Sequence, residues 1–309
     1  MSLPRYVLRR VLGAVPTLLL VVVLAFVLVR AAPGGPFDEE RALPADVRAN
    51  IEAAYHLDEP MWQQFLRYAG GLLRGDLGPS YRRHGESVND LIADAFPLSA
   101  ALGLLAMAAA LLVGIGVGAV AALGRDGWRD RVSMTFALTG ISIPVFVVAP
   151  ALILVFAVQL GWLPAGWSGA RGAGAWILPV TALALPQIAY IARLTRASLI
   201  DVLASPFIRA ARAQGLGMGR VVRRHALKPA LLPVLSYLGP ALAGILTGSV
   251  VVEQIFGIPG IGQAFVRGAL DRDYTLVLGV VILYATLIIG LNLLVDILYG
   301  AIDPRVRHR

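Results

Sequence analysis

Long apolar runs are the feature that most restricts what this sequence can fold into. A membrane-spanning helix needs about 20 consecutive, mostly apolar residues. The chain is 58% hydrophobic and only 15% charged, which exceeds the apolar share of an ordinary soluble domain. The pattern predicts an all-α membrane protein with six transmembrane helices, at Val11–Val29, Leu98–Leu123, Ser133–Leu160, Trp176–Leu194, Pro233–Val252 and Leu276–Tyr299.

The distribution of arginines predicts the orientation of these helices. Arg5, Arg9 and Arg10 precede the first run, and the C-terminal tail is also basic. Because basic residues are enriched on the inner side of a membrane, both termini are predicted to be cytoplasmic. The first run is longer than the ~7 to 15 residues of a signal-peptide core, which favours an uncleaved span.

The same pattern divides the chain into three parts. Residues 1–30 form the cytoplasmic start and the first span, and residues 31–97, rich in carboxylates, form a large loop outside. Residues 98–309 form a core with the other five spans. That core includes a cytoplasmic loop over 197–232 and an outer segment over 253–275, which is long enough for a short helix.

The outer loop itself has helical periodicity in two places. Helices are predicted at Ala45–Tyr55 and Met61–Leu73, followed by a turn at Gly75–Ser80. The loop is either a self-packed lid or a surface for an external partner, and the sequence leaves both open. The residues predicted to form the buried faces are Ala49, Ile51, Tyr55, Trp62, Phe65, Leu66 and Leu73.

Glycine and proline mark special positions in the spans. Gly114 and Gly118 form a small-xxx-small pair that lets a neighbouring helix approach closely. Prolines are predicted to interrupt the third span, at Pro144 and Pro150, and the fourth, at Pro179 and Pro186. In the fifth span a stripe of small or helix-interrupting residues indicates either a translocation path or close helix packing; its members are Gly239, Pro240, Gly244 and Gly248.

The stretch from Ser205 to Pro233 is basic and contains no carboxylate. Ser205 before Pro206 predicts a helix start with the serine as its cap, and a helix over Phe207–Gln214. Glycines at 215, 217 and 219 predict an elbow, after which helical periodicity resumes at Arg220. Basic inner loops often only fix topology. The flat surface at Ala210 and Ala211, next to the elbow, favours a docking site for a soluble partner.

Several classes of function lack their motifs here. Cysteine is absent, and the single lysine, Lys228, follows leucine, so the chain has no Walker A loop of its own. Its four histidines are scattered, and neither a His-Glu-x-x-His nor a Gly-x-Ser-x-Gly motif occurs. The spans contain few ionisable residues, which disfavours an ion-coupled transporter. No enzyme activity, cofactor, metal site or nucleic-acid surface is predicted.

The basic stretch resembles a known signature. Arg209, Ala210, Ala211 and Gly215 resemble the Glu-Ala-Ala-x-x-x-Gly signature of permease subunits in ATP-binding-cassette importers, with arginine in place of glutamate and Lys228 in place of the terminal proline. Both departures, and the run His225-Ala226-Leu227, resemble the form that this signature takes in the peptide-transporting branch of these permeases. Phrases elsewhere resemble the B-type permease subunits of oligopeptide importers; they are RAAPGGPF, NIEAAYHLDEP, GDLGPSY, HALKPALLPVLSYLGPA, VEQIFGIPGIGQAFVRGALDRDY and IDPRVR.

This resemblance implies a type I importer permease (MetI-like) fold in the bacterial inner, or plasma, membrane. It implies a peptide substrate, a second homologous (C-type) permease subunit, two ATP-binding subunits and an extracytoplasmic peptide-binding protein. Dipeptide, glutathione and nickel importers of the same branch remain alternatives. The residues implied in coupling to the ATPase are Phe207, Arg209, Ala210, Ala211, Arg212, Gly215 and His225.

Overall fold

The protein is helical in nearly all of the residues that the computed structural model describes, which are 3–31, 56–83, 85–167, 169 and 172–302. The predicted helix at Ala45–Tyr55 and the tail Asp303–Arg309 lie outside these residues. The described residues also include two π-helical segments, Ile153–Gln159 and Val222–Ala226. The helices are α1 (Leu3–Ala31), α2 (Met61–Leu72), α3 (Val88–Leu123), α4 (Trp128–Ser142), α5 (Val145–Leu152), α6 (Gly174–Leu203), α7 (Pro206–Ala213), α8 (Met218–Val221), α9 (Leu227–Ala230), α10 (Leu232–Phe256), α11 (Ile261–Leu270) and α12 (Tyr274–Ile302).

Five of these helices are long and apolar enough to cross a membrane, namely α1, α3, α6, α10 and α12. Helices α4 and α5, the latter with its π-helical extension, are together long and apolar enough for a sixth crossing. Their axes differ by 104°, so this crossing would be a broken span. The described residues thus contain five continuous spans, and the predicted number of six is met when the bent pair is counted as one span.

The prolines of the third and fourth spans have different effects. Pro144 precedes α5 in an extended conformation and lies at the bend, as predicted. Pro150 lies inside α5 without ending it, and Pro179 and Pro186 lie inside the continuous helix α6. The prediction that these last two prolines break the fourth span is wrong, because packing against neighbouring helices holds α6 together.

The contact between α3 and α6 forms the centre of the fold and is the most extensive helix pair in the described chain. A Cβ atom placed on Gly114 would lie 2.9 Å from Ile191 Cβ, and one on Gly118 would lie 2.4 Å from the Ala192 carbonyl oxygen. The predicted small-xxx-small contact is confirmed, and α6 is the helix that approaches.

Three helix ends differ from the predicted boundaries. Helix α3 begins at Val88, because Ser87 and Asp90 form a capping box, so the predicted boundary between 97 and 98 lies inside a continuous helix. Helix α6 continues to Leu203, into the predicted loop 197–232. Helix α10 continues to Phe256, and the rest of segment 253–275 contains the predicted short helix, α11.

Helix α2 packs on the end of α1 through aromatic rings. Phe65 meets Phe26 edge to face, with ring centroids 5.3 Å apart, and Tyr68 stacks on the same ring. Burial raises the pKa of the Tyr68 phenol, which keeps it neutral. The predicted buried face is wrong for Trp62, Leu66 and Leu73, which are exposed, because α2 rests on α1 along one side only.

Candidate coupling surface

The basic stretch folds into a short helix that starts where the sequence predicts. Pro206 is the first residue of α7, and the Arg209 amide donates to the Ser205 carbonyl at 3.2 Å. The prediction that Ser205 caps α7 is wrong, because its hydroxyl instead donates to the carbonyl oxygen of Val202 at 2.5 Å. Its oxygen is therefore directed toward the end of α6, and the proline sets the start of α7.

One residue attaches α7 to the rest of the protein. Ile208 is only 1% exposed and packs in an apolar cluster with residues of α3, α6 and the segment after the elbow. The sequence analysis did not single it out, although it is the only β-branched residue in an otherwise basic and alanine-rich helix. The other buried members of this anchor cluster are Ala122, Leu199, Val221, Ala226 and Ala230.

The remaining faces of α7 point away from this cluster. The Phe207 side chain is 51% exposed, Arg209, Ala210 and Arg212 are exposed, and Ala211 is partly buried. Within the described part of the chain, neither arginine has a carboxylate at ion-pair distance. The helix thus exposes one aromatic ring, two cations and a flat alanine surface.

The elbow after α7 depends on one glycine. Gly215 has φ +83°, in the left-handed region, and its amide donates to the Arg212 carbonyl at 2.9 Å. Glycine adopts this conformation without the steric cost that a side chain brings. Gly217 then precedes α8, which starts at Met218 and not at the predicted Arg220. The predicted helix–elbow–helix shape is observed.

The segment after the elbow returns to the same cluster. Val221, Ala226 and Ala230 are buried against Ile208, while His225, in the π-helical stretch, is partly buried. Single-turn π-helical stretches are rare and occur often at functional sites. His225 directly precedes Ala226 in the sequence, and Ala226 is a buried member of the anchor cluster that holds α7.

An ion pair that the sequence analysis did not predict lies at the same end of the fold. Asp130 of α4 accepts from Nε and Nη2 of Arg196 in α6, both at 2.6 Å, and Asp130 is 4% exposed. The pair joins the start of the bent span to the helix that leads into α7.

The residues predicted for a translocation path have different environments. Gly239 is buried against α12, where an added Cβ would lie 3.2 Å from Val295 Cβ, so this position favours the packing alternative. Pro240 and Gly244 are exposed and lie four residues apart on α10. Gly248 is also in α10. Their role in a path stays a prediction.

Comparison with family models gives a match over most of the chain. Residues 114–308 match the model described as "Binding-protein-dependent transport system inner membrane component". Residues 3–103 match the model for the N-terminal part of such a membrane component. The coupling surface lies within the first of these matches.

Individual proteins are similar to the chain over nearly its whole length. The oligopeptide transport system permease protein OppB of Haemophilus influenzae is 52% identical, covering 98% of this chain and 99% of the relative. The dipeptide transport system permease protein DppB of Bacillus subtilis is 42% identical, covering 98% of both. Among solved structures, an inward-facing MetNI methionine ABC transporter matches with a TM-score of 0.56 at 19% identity, covering 69% of this chain and 96% of that chain.

Proposed function

Because the chain belongs to the family of binding-protein-dependent transport system inner membrane components, we propose that it is the permease subunit of an ATP-driven oligopeptide importer. Members of this family are multi-pass inner-membrane subunits and not enzymes; they work with ATPase and other permease subunits. The observation that supports the proposal most directly is α7, a basic helix fixed at Ile208 and exposed on its remaining faces.

Oligopeptides are the proposed substrate class. The oligopeptide permease relative is 52% identical to the chain and the dipeptide permease relative 42%, each over nearly the full length. A dipeptide, glutathione or nickel importer of the same branch is the alternative. The complete transporter should take up a tripeptide faster than a dipeptide, and uptake of dipeptides alone would favour the alternative.

The proposed assembly contains this chain, a homologous C-type permease subunit, two ATP-binding subunits and an external peptide-binding protein. Both termini face the cytoplasm, so α7 faces the ATPase. Arg209 and Arg212 contact carboxylates or carbonyl groups in a cleft of that subunit, while Ala210 and Ala211 permit close approach. Exposed Pro240 and Gly244, with Gly248, line the path shared with the second permease subunit.

Movement of the ATPase reaches the membrane helices through the anchor cluster. Ile208 contacts a cluster that includes Leu199, near the end of α6, and Ala122, near the end of α3. A displacement of α7 therefore acts on both helices at once. Since α3 and α6 pack closely at Gly114 and Gly118, they move as one unit, which is the behaviour expected of a rigid-body transition.

The coupling role can be tested with Ala210→Glu in the complete transporter reconstituted in proteoliposomes. An acidic side chain on the flat surface of α7 should block docking, and a misplaced charge in an interface costs several kcal/mol, so ATP-driven peptide uptake should fall by at least about tenfold. Ala211→Glu and Gly215→Val should act in the same direction. The variant should still insert in the membrane.

The matched control is Ala269→Glu, since Ala269 is an exposed alanine in α11, another short helix. It should leave uptake within about twofold of the parent, as expected for an exposed site. Unchanged uptake in Ala210→Glu would contradict the docking role. Peptide uptake by this chain alone, without nucleotide, would instead indicate an ion-coupled transporter.

A further inference from the structure

A cavity of about 500 Å³ lies at the end of α3 that is remote from the coupling surface. One wall is the Leu91–Leu98 face of α3, and another is the Gln263–Gly268 face of α11. The rest of the lining consists of Arg82, Arg83, the Pro259–Gly260 turn and, around the start of α12, Asp271, Asp273 and Leu276. From Leu98 to Ala122 of the anchor cluster, α3 rises about 35 Å at 1.5 Å per residue. In the proposed orientation this cavity opens to the outside.

A buried carboxylate fixes the α11 wall of this cavity. Glu253 is fully buried and accepts from the hydroxyls of Ser99 and Ser249, both at 2.7 Å, and from the Gln263 amide at 3.1 Å. Ser99 in turn accepts from the Ile261 amide at 2.8 Å. Glu253 thus joins α3, α10 and the first turn of α11, directly behind the residues that line the cavity.

A second buried carboxylate fixes the loop wall. Asp273 accepts from the Ser80 hydroxyl, from the Tyr81 amide at 3.2 Å and from the Leu276 amide at 3.2 Å. Arg82, the next residue, donates from Nε to the Asp271 carbonyl at 2.6 Å. The loop that carries Arg82 and Arg83 is therefore held against the start of α12, and directional hydrogen bonds define the shape of the cavity.

Among the charged side chains that line this cavity, those of Asp94, Asp271 and Arg267 have no partner in the described chain. Asp94 projects from α3 and Arg267 from α11, and both are exposed. They do not form an ion pair with each other, and no other described group bonds to either carboxylate or guanidinium. The buried carboxylates of Glu253 and Asp273 are thus saturated, whereas the exposed carboxylates of Asp94 and Asp271 and the guanidinium of Arg267 remain available to a ligand.

We propose that this cavity binds a short peptide with free termini, with its ammonium group at Asp94 and its carboxylate at Arg267. The inference rests on the proposed function, since it names a place where the substrate enters the permease. A ligand with a single charge would leave one of the two side chains unpaired. The volume lies within the range of small-ligand sites, and the side chains of Leu91, Leu98 and Leu276 supply apolar surface.

Equilibrium binding of tritiated trialanine tests this assignment. The assay uses the permease and ATPase subunits together in lipid nanodiscs, without the external binding protein. Free trialanine should bind, and blocking either terminus should weaken binding about fivefold, the scale of an exposed ion pair. Asp94→Asn should weaken the binding of free trialanine about fivefold, but it should not further weaken the binding of N-acetylated trialanine. Arg267→Gln should likewise weaken the binding of free trialanine without further weakening that of the C-amidated form.

The controls are Asp58→Asn and Arg74→Gln, which remove exposed charges that do not line the cavity. Both should bind trialanine as the parent does. The proposal is overturned if the parent binds all three forms equally, or if each variant weakens all forms alike. If the complete transporter imports no peptide, the proposed function is wrong. If it imports peptides and the binding results above are negative, only the proposed binding site is wrong.

Discussion

The two ends of α3 are held by different kinds of interaction. At the coupling end, Ile208 packs with small apolar side chains such as Ala122 and Ala226, and the charged residues of α7 stay exposed. At the other end, the buried carboxylates of Glu253 and Asp273 accept several hydrogen bonds each from neighbouring elements. The contacts that attach α7 are thus non-directional, whereas the walls of the outer cavity are fixed by directional contacts.

This difference matches what each end must do in the proposed function. Apolar contacts between small side chains change little in free energy when helices shift slightly, so α7 can transmit displacement while remaining attached. Hydrogen bonds to a buried carboxylate weaken steeply when their geometry changes. The outer end should therefore keep one arrangement or change to another as a unit, and its cavity should keep its shape.

Removing the Glu253 carboxylate should have the largest effect. Glu253→Ala leaves the Ser99 hydroxyl and the Gln263 backbone amide without their acceptor and opens a void, at a cost of about 4 kcal/mol. Thermal unfolding of the purified complex should show a clearly lower Tm. Glu253→Gln keeps an acceptor oxygen and should cost less than about half as much. Equal stability of Glu253→Ala and the parent would contradict a directional outer end.

Truncation of Ile208 should have the next largest effect on free energy, with a different functional result. Ile208→Ala removes buried methyl and methylene groups and should cost about 3 kcal/mol. Because these contacts attach α7, ATP hydrolysis should become poorly coupled to uptake, measured as ATP consumed per peptide imported. Ile208→Val should restore coupling. A variant that loses stability but retains the parental ratio would show that the anchor cluster does not transmit motion.

The periodicity and charges of the sequence predicted the spans, the elbow and the close approach at Gly114 and Gly118, because these depend on local patterns. The capping box at Ser87 and Asp90 was also a local signal. Using it to predict the start of α3 would have required a helix that continues through Pro97. The Glu253 and Asp273 networks have no local signal. Ser99 is 154 residues from Glu253, and Ser80 is 193 residues from Asp273, so only the fold brings them together.

The prolines illustrate a second limit of sequence patterns. Pro144 and Pro186 are both residues within long apolar stretches, yet a bend occurs only near Pro144. Helix α6 is enclosed by α3, α4 and α10 in the described chain, whereas α4 and α5 contact fewer neighbours. Packing that depends on distant residues therefore decides whether a proline breaks a span.

Replacement of Gly215 should produce the smallest change in the free energy of unfolding. It tests whether the angle of the elbow, as distinct from the apolar packing at Ile208, matters for uptake. At φ +83° an added side chain strains the backbone, and Gly215→Ala should cost about 1 kcal/mol, although a Cβ there would meet no heavy atom within 4 Å. Since no apolar contact is lost, the Tm of the complex should change little. Uptake should nevertheless fall more than in Gly219→Ala, because Gly219 lies within α8 and has no positive φ. Equal uptake in the two variants would show that apolar packing at Ile208, and not the angle of the elbow, sets the position of α7.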